Sequence, residues 1–345
     1  HQILITILLL ITPMQEDPAF NDKDLTAGFA QRLSGVGRIL ETPEWYVWGC
    51  APIYDESDNL HVFFCRWPSN TQMKGWLSHA EIAHAVSKHP EGPYRVLGTV
   101  LKVENEDCWD QSIYNPNIQK VGDRFVLTYS GRKRNEPNLR QQIGMAFATS
   151  LDGPWIKCTQ NPIIRPSEKT GTWNALHASN PSLVLCPDGT FRIYYKGISD
   201  IPADPLRTIG VATSKNLEGP YSDFIDNPVI QYIEKGGDIE DPYAFYYENR
   251  YYLILEDRMG VALGDRPEYQ SASELKIAGG VRPGLIYSSK DGFSWSESCI
   301  GYHTNDHYFT ETRQRFERPQ ILWKDGKPEY LFLALKGGKY GLSSG

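Results

Sequence analysis

Positive charge is in deficit in this sequence, with 35 Lys and Arg against 42 Asp and Glu and a net charge of −7. That balance argues against a protein that tracks a phosphate backbone, so no nucleic-acid partner is expected. Methionine is scarce, with four residues, and the six cysteines show no CxxC spacing, which excludes a zinc ribbon or a dithiol redox site. The cysteines are expected to be mostly buried thiols acting as small hydrophobes. Long apolar runs are also lacking. Only Ile3 to Ile11 is nearly unbroken, interrupted by Thr6, and nine residues fall short of the roughly 20 that a membrane-spanning helix needs. No membrane span is expected. The run fits the apolar region of an export signal, followed by polar Thr12 to Asp17. Its expected consequence is an exported protein, periplasmic or extracellular, and the alternative is a buried N-terminal strand. Helical periodicity is almost absent; a short helix over Asp24 to Ile39 is weakened by Gly28, Gly35 and Gly37.

Aromatic residues are what the chain has in excess: 9 Trp and 20 Tyr in 345 residues. They favour β structure and suit a sugar-binding surface. Five short phrases ending in proline recur along the chain: Cys50-Ala51-Pro52, Tyr114-Asn115-Pro116, Ser179-Asn180-Pro181, Glu240-Asp241-Pro242 and Glu317-Arg318-Pro319. The intervals between the prolines are 64, 65, 61 and 77 residues. Each phrase opens an alternating apolar strand, a turn and a second strand. Three copies continue into a third strand and a Gly-Pro-aromatic turn (Gly92-Pro93-Tyr94, Gly153-Pro154-Trp155, Gly219-Pro220-Tyr221). Five units of four antiparallel strands describe an all-β, five-bladed β-propeller. The expected division is a partial signal peptide over 1–15, an N-terminal extension over 16–44 and the propeller over 45–345. The last copy is short of strands, so closure requires an N-terminal strand, drawn from residues 30–48, or further C-terminal residues.

In a propeller the innermost strands begin at the axis on one face, so the five phrases are expected to converge on one pocket. That pocket would hold Asn115, Asn180, Glu240, Asp241, Glu317 and Arg318, with Trp48 and Trp109 nearby. Several carboxyls in a partly dry funnel have their pKa values driven apart by burial and mutual repulsion, which is what acid/base cleavage of a glycosidic bond requires. Asp241 and Glu317 are the expected catalytic pair, assisted by Asp110, which stands shortly before a strand start, or by Glu81. Plain structural roles compete: a cap or turn for Asp241, an ion pair for Glu317, Asx-turns for Asn115 and Asn180, and a packed ring for His177. Cys50 draws notice because it sits in a phrase.

These phrases, with the Gly-Pro-aromatic turns and Arg66-Trp67-Pro68, resemble five-bladed propeller glycoside hydrolases of the family 43 and family 117 group over roughly residues 45–340. The resemblance implies hydrolysis of plant or algal oligo- or polysaccharide, and adds Arg66 and His177 to the expected sugar contacts. It also implies a general-base Asp in the first blade, where Ala51 stands beside Cys50, and a modulating Asp in the third, where Asn180 stands. Family 117 enzymes are similar in using a His as acid, which brings in His177 and His303. No cofactor is expected, although a central divalent cation would suit such a funnel. Two rivals remain at this point: a glycoside phosphorylase, which needs several cations where only Arg318 lies near a phrase, and a propeller that binds carbohydrate without cleaving it.

Overall fold

The structure, a computed structural model, describes residues 7–11, 24–136, 138–201, 206–259, 283–310 and 314–342. Its strands are β1 (Ile7–Ile11), β2 (Leu33–Arg38), β3 (Trp45–Tyr54), β4 (Leu60–Pro68), β5 (Glu81–Ser87), β6 (Arg95–Leu101) and β7 (Ser112–Val121). They continue as β8 (Arg124–Arg132), β9 (Gln142–Ala148), β10 (Ile156–Lys157), β11 (His177–Leu185), β12 (Phe191–Ile198), β13 (Arg207–Ser214) and β14 (Ser222–Asp223). The last are β15 (Ile239–Tyr247), β16 (Arg250–Asp257), β17 (Gly284–Ser289), β18 (Cys299–Tyr302), β19 (Glu317–Lys324) and β20 (Lys327–Ala334). They form five four-stranded antiparallel sheets, in order β3-β4-β5-β6, β7-β8-β9-β10, β11-β12-β13-β14, β15-β16-β17-β18 and β19-β20-β1-β2. The expected five-bladed propeller is therefore present.

Five hydrophobic clusters lie between successive blades rather than in one central core. Phe63 and Ile82 of the first blade pack with Ile113, Leu127 and Tyr129 of the second, and Val184 and Tyr194 of the third with Leu253 and Tyr287 of the fourth. The ring closes where Leu322 and Phe332 of the fifth blade meet Val47, Val62 and Phe64 of the first. Inner strands are covered on both faces, so most of their residues are buried, polar ones included. The two-residue outer strands face solvent: Ser222 and Asp223 of β14 are both exposed.

The fifth blade bears on three expectations. The apolar run taken as an export signal is, from Ile7 to Ile11, a strand paired with β20 on one side and β2 on the other. Leu9 is fully buried among Tyr252, Ile254 and Ile321, which gives its hydrophobicity a packing role. The propeller thus takes in residues assigned to a leader and an extension, because β19 and β20 alone would leave a bare sheet edge. The remainder of that expected leader and extension, residues 1–6 and 12–23, lies outside the described residues. In place of a helix over Asp24 to Ile39 stand a single 3₁₀ turn, Ala30–Arg32, and β2.

Candidate active site

Each innermost strand carries a bulge near its start. Pairing skips from Tyr114 to Asn117, from Ser179 to Ser182, from Glu240 to Tyr243 and from Glu317 to Gln320. The skipped Asn115, Asn180, Asp241 and Arg318 have φ of 56°, 57°, 60° and 58°. Asn and Asp tolerate this left-handed conformation through local hydrogen bonds, whereas other residues lose about 1–2 kcal/mol there. In the first blade the skip runs from Trp48 to Ala51 and the left-handed residue is Gly49, at φ 60°. The first-blade counterpart of Asp241 is therefore Gly49, and the alignment of Cys50-Ala51-Pro52 with the other phrases is two residues out of register. Cys50 is buried in the inter-blade cluster, and all six cysteines are free thiols.

The bulged residues form a chain across the axis. Asn115 Nδ2 donates to Asn180 Oδ1 at 2.8 Å, and Asn180 Nδ2 donates to Asp241 Oδ1 at 2.6 Å. Arg318 closes it, its backbone N–H on Asp241 Oδ2 and its Nη1 on Oδ1, both at 2.9 Å. These bonds offset the backbone strain at four positions and fix the Asp241 carboxylate with three donors. A cavity of about 390 Å³ opens above this chain. Its walls differ in character. Trp48, Trp67, Trp76 and Tyr114 of the first two blades make an aromatic side, with the Trp76 and Tyr114 rings edge-on at 5.1 Å. Charged residues of blades three to five make the other.

On the charged side Glu240 is saturated. Lys196 Nζ and Arg207 Nε stand 3.1 Å from its Oε2, and Arg258 Nη1 holds its Oε1. Arg207 and Arg258 reach Asp238 as well, at 2.6 and 3.0 Å. Burial opposes ionisation, but the three cations win and hold Glu240 well below the usual carboxylate range. Glu240 thus lines the cavity as an anchor for cations; its oxygens are occupied, which makes it a poor direct sugar contact.

Glu317 behaves in the opposite way. It lines the cavity, and burial together with the nearby Asp241 and Glu240 charges raises its pKa, although Arg315 Nε, donating to Oε1 at 2.7 Å, pulls the other way. Behind it stands Glu256, 1% exposed, with both carboxyl oxygens outside any hydrogen bond and only Arg315 at 3.2 Å. Burial and the Glu317 charge push Glu256 well above the ordinary range. One oxygen each of Asp241, Glu256 and Glu317 lies within 4.8 Å of the others. This three-carboxyl cluster, ringed by Arg315 and Arg318, is suited to holding and passing a proton. It also has the oxygen-only donor set of a hard divalent cation, with two arginines crowding the same space.

Several expected residues are elsewhere. Asp110 is buried in an ion pair with Lys157 at 2.8 Å and accepts from Tyr129 Oη at 3.0 Å. Trp109 stacks on Tyr129 at 6.0 Å and lies against Gly131, where a Cβ would collide with its ring at 2.7 Å. Both serve packing around the second blade. Glu81 accepts from Arg66 Nε at 2.9 Å and Thr99 Oγ1 at 2.6 Å, and the Arg66 guanidinium lies 4.2 Å over the Trp45 ring. None of these four residues lines the cavity. His177 does line the cavity, but burial and the Lys196 charge push its pKa down to about 3, so it is neutral and unsuited to donate a proton as an imidazolium. His303 is outside the cavity, stacked on His307 at 4.1 Å, with its pKa lowered to about 4 by burial.

Sequence reading missed Glu256, Lys196, Arg207, Arg258 and Arg315. A usable signal existed: hairpin register places the end of the second strand opposite the phrase, and Glu256 is the direct partner of Glu240, Lys196 of Ser179. The count of one cation near the phrases is corrected to six lining the cavity among the described residues.

The five-bladed propeller is a fold found among solved glycoside hydrolases of families 117 and 43. No family model matches the sequence, and no curated protein matches it. Among solved structures, the chain is similar to a family 117 glycoside hydrolase of the marine bacterium Zobellia galactanivorans, with a TM-score of 0.61 and 14% identity over 94% of this chain and 81% of that one. A family 43 enzyme from Xanthomonas citri gives 0.52 and 14%, covering 88% and 87%. A family 43 β-xylosidase/α-arabinofuranosidase from a compost metagenome gives 0.57 and 12%, covering 88% and 90%. At such identities the shared property is the fold.

Proposed function

We propose that the protein is a glycoside hydrolase in which Glu317 is the general acid and Asp241 the carboxylate that works with it. The observation that carries this reading is the placement of Glu317 in the cup wall, driven toward its protonated form within 4.8 Å of an Asp241 carboxylate fixed by three donors. A carboxyl that keeps its proton near neutrality can give it to a departing glycosidic oxygen, while its neighbour accepts or attacks. The aromatic wall offers a platform for the apolar face of a sugar ring, and Asn115 and Arg318 offer donors to its hydroxyls. The chemistry of the fold neighbours, one of them an enzyme on xylosides and arabinofuranosides by its description, points to plant or algal saccharides as the substrate class.

The test is a release assay on pectic, arabinan, galactan and red-algal oligosaccharides, with the liberated sugars identified by chromatography. Hydrolysis by the wild type that disappears in Glu317→Gln supports the reading. Binding of these oligosaccharides without release of any product leaves a carbohydrate-binding propeller instead.

A further inference from the structure

The cup concentrates positive charge inside an acidic protein. Lys196, Arg207, Arg258, Arg315, Arg318 and Lys336 all line it, against the carboxyls of Glu240, Asp241 and Glu317, while the whole chain carries −7. The internal ion pairs do not exhaust these donors. Lys196 gives one of its three N–H groups to Glu240. Arg318 spends its backbone N–H and Nη1 on Asp241, and its buried Nε meets no acceptor. Lys336, exposed, has no carboxylate partner among the described residues. It lies two residues past Ala334, the strand partner of Glu317, as Arg315 lies two before Glu317, so fifth-blade cations flank the candidate acid on both strands. His177 adds a buried ring to the same wall. Glu240 and Asp238 answer Arg207 and Arg258 between them, which leaves Lys196, Arg318 and Lys336 as the cations with donors to spare.

A neutral sugar can answer these donors only with hydroxyl and ring oxygens, which are weaker acceptors for a cation than a charged oxygen is. We propose that the cup is built for a saccharide that carries its own oxyanion, a uronate carboxylate or a sulfate ester, with the ring on the aromatic wall and the anionic group against the cations of the opposite side. This rests on the reading of the cup as a glycosidase site and names its substrate class.

Calorimetric titration of the wild type with glucuronate, galacturonate, galactose 6-sulfate, their neutral parent sugars and inorganic phosphate tests it. The expected result is that at least one charged sugar binds about tenfold or more tightly than its parent, a difference of one charge-assisted contact. Lys336→Gln should shrink that ratio by about threefold. The uronate and sulfate arms identify which oxyanion is read. Equal or tighter binding of the neutral parents overturns the proposal, and so does binding of phosphate alone with no charged sugar bound. A turnover assay with acidic oligosaccharides and their carboxyl-reduced forms separates the two readings. Acidic saccharides that bind but are never cleaved remove the hydrolase and leave this inference standing; cleavage confined to the reduced forms does the reverse.

Discussion

Glu240 and Glu256 face each other as direct partners across β15 and β16, yet their environments drive them in opposite directions. Glu240 is held ionised by Lys196, Arg207 and Arg258; Glu256, buried and without a hydrogen bond among the described residues, has its pKa pushed up. The pKa values of two carboxyls of one hairpin are thereby driven apart, and Glu317 at the cavity wall is shifted in the same sense as Glu256. Such a separation of pKa values is the physical condition for placing an acid and a base in one site.

Replacing either member of the proposed pair should abolish most turnover. Glu317→Gln and Asp241→Asn are each expected to lower kcat at least ~100-fold, the contribution of one general acid/base group. Thermal unfolding should show both variants folded. Full activity in both would remove the assignment.

The closeness of the two carboxyls predicts the stereochemistry. Oxygens within 4.8 Å sit nearer the spacing of about 5–5.5 Å typical of retaining glycosidases than the roughly 6.5–9.5 Å that leaves room for a water. Proton NMR of the first-formed product should therefore show the anomeric configuration of the substrate. An inverted first product would mean that a group other than Asp241 handles the water.

Activity should fall on the alkaline side as Glu317 loses its proton, at a pH above the ordinary 4.5 of a glutamate. The stability consequence has the same direction. A carboxyl whose folded pKa is raised stabilises the fold below its unfolded value, and that contribution is lost as pH rises through the folded one. Glu256→Gln keeps the shape without a charge to bury, so its Tm should exceed that of the wild type at alkaline pH and approach it near pH 5. A lower Tm throughout would show that Glu256 is ionised and paired.

Asn180 links two neighbours while holding a left-handed backbone. Asn180→Gly keeps the conformation and loses the bonds from Asn115 and to Asp241; Asn180→Ala loses the bonds and strains the backbone. The alanine variant should be less stable than the glycine variant by about 1 kcal/mol, measured by urea denaturation. Equal stabilities would show that the bulge relaxes.

Asp110 gives the contrasting case. Asp110→Asn weakens a buried pair with Lys157 outside the cup, so it should lower Tm and leave the kcat of the folded fraction within about twofold of the wild type. A 100-fold loss would return Asp110 to the chemistry.

What was legible in the sequence follows from periodicity. The Pro-terminated phrases, the turn residues and the alternating strands repeat because each blade must bury both faces against its neighbours, and that demand falls on every copy alike. The convergence of Asn115, Asn180, Asp241, Glu317 and Arg318 was legible for the same reason. The boundary of the propeller was not, because Ile7–Ile11 is apolar whether it leaves with a leader or fills a fifth blade, and only pairing with β20 distinguishes the two.

The sequence by itself determined the blade, since strand, turn and bulge are set by residues close together along the chain. The tertiary structure decided the charge of the site. Glu240, Glu256 and Glu317 are the same residue type, and which is an anion and which keeps a proton depends on Lys196, Arg207, Arg258 and Arg315, contributed by three different blades. Burial and Coulomb interaction act over a few ångströms in space, a distance on which separation along the chain has no bearing.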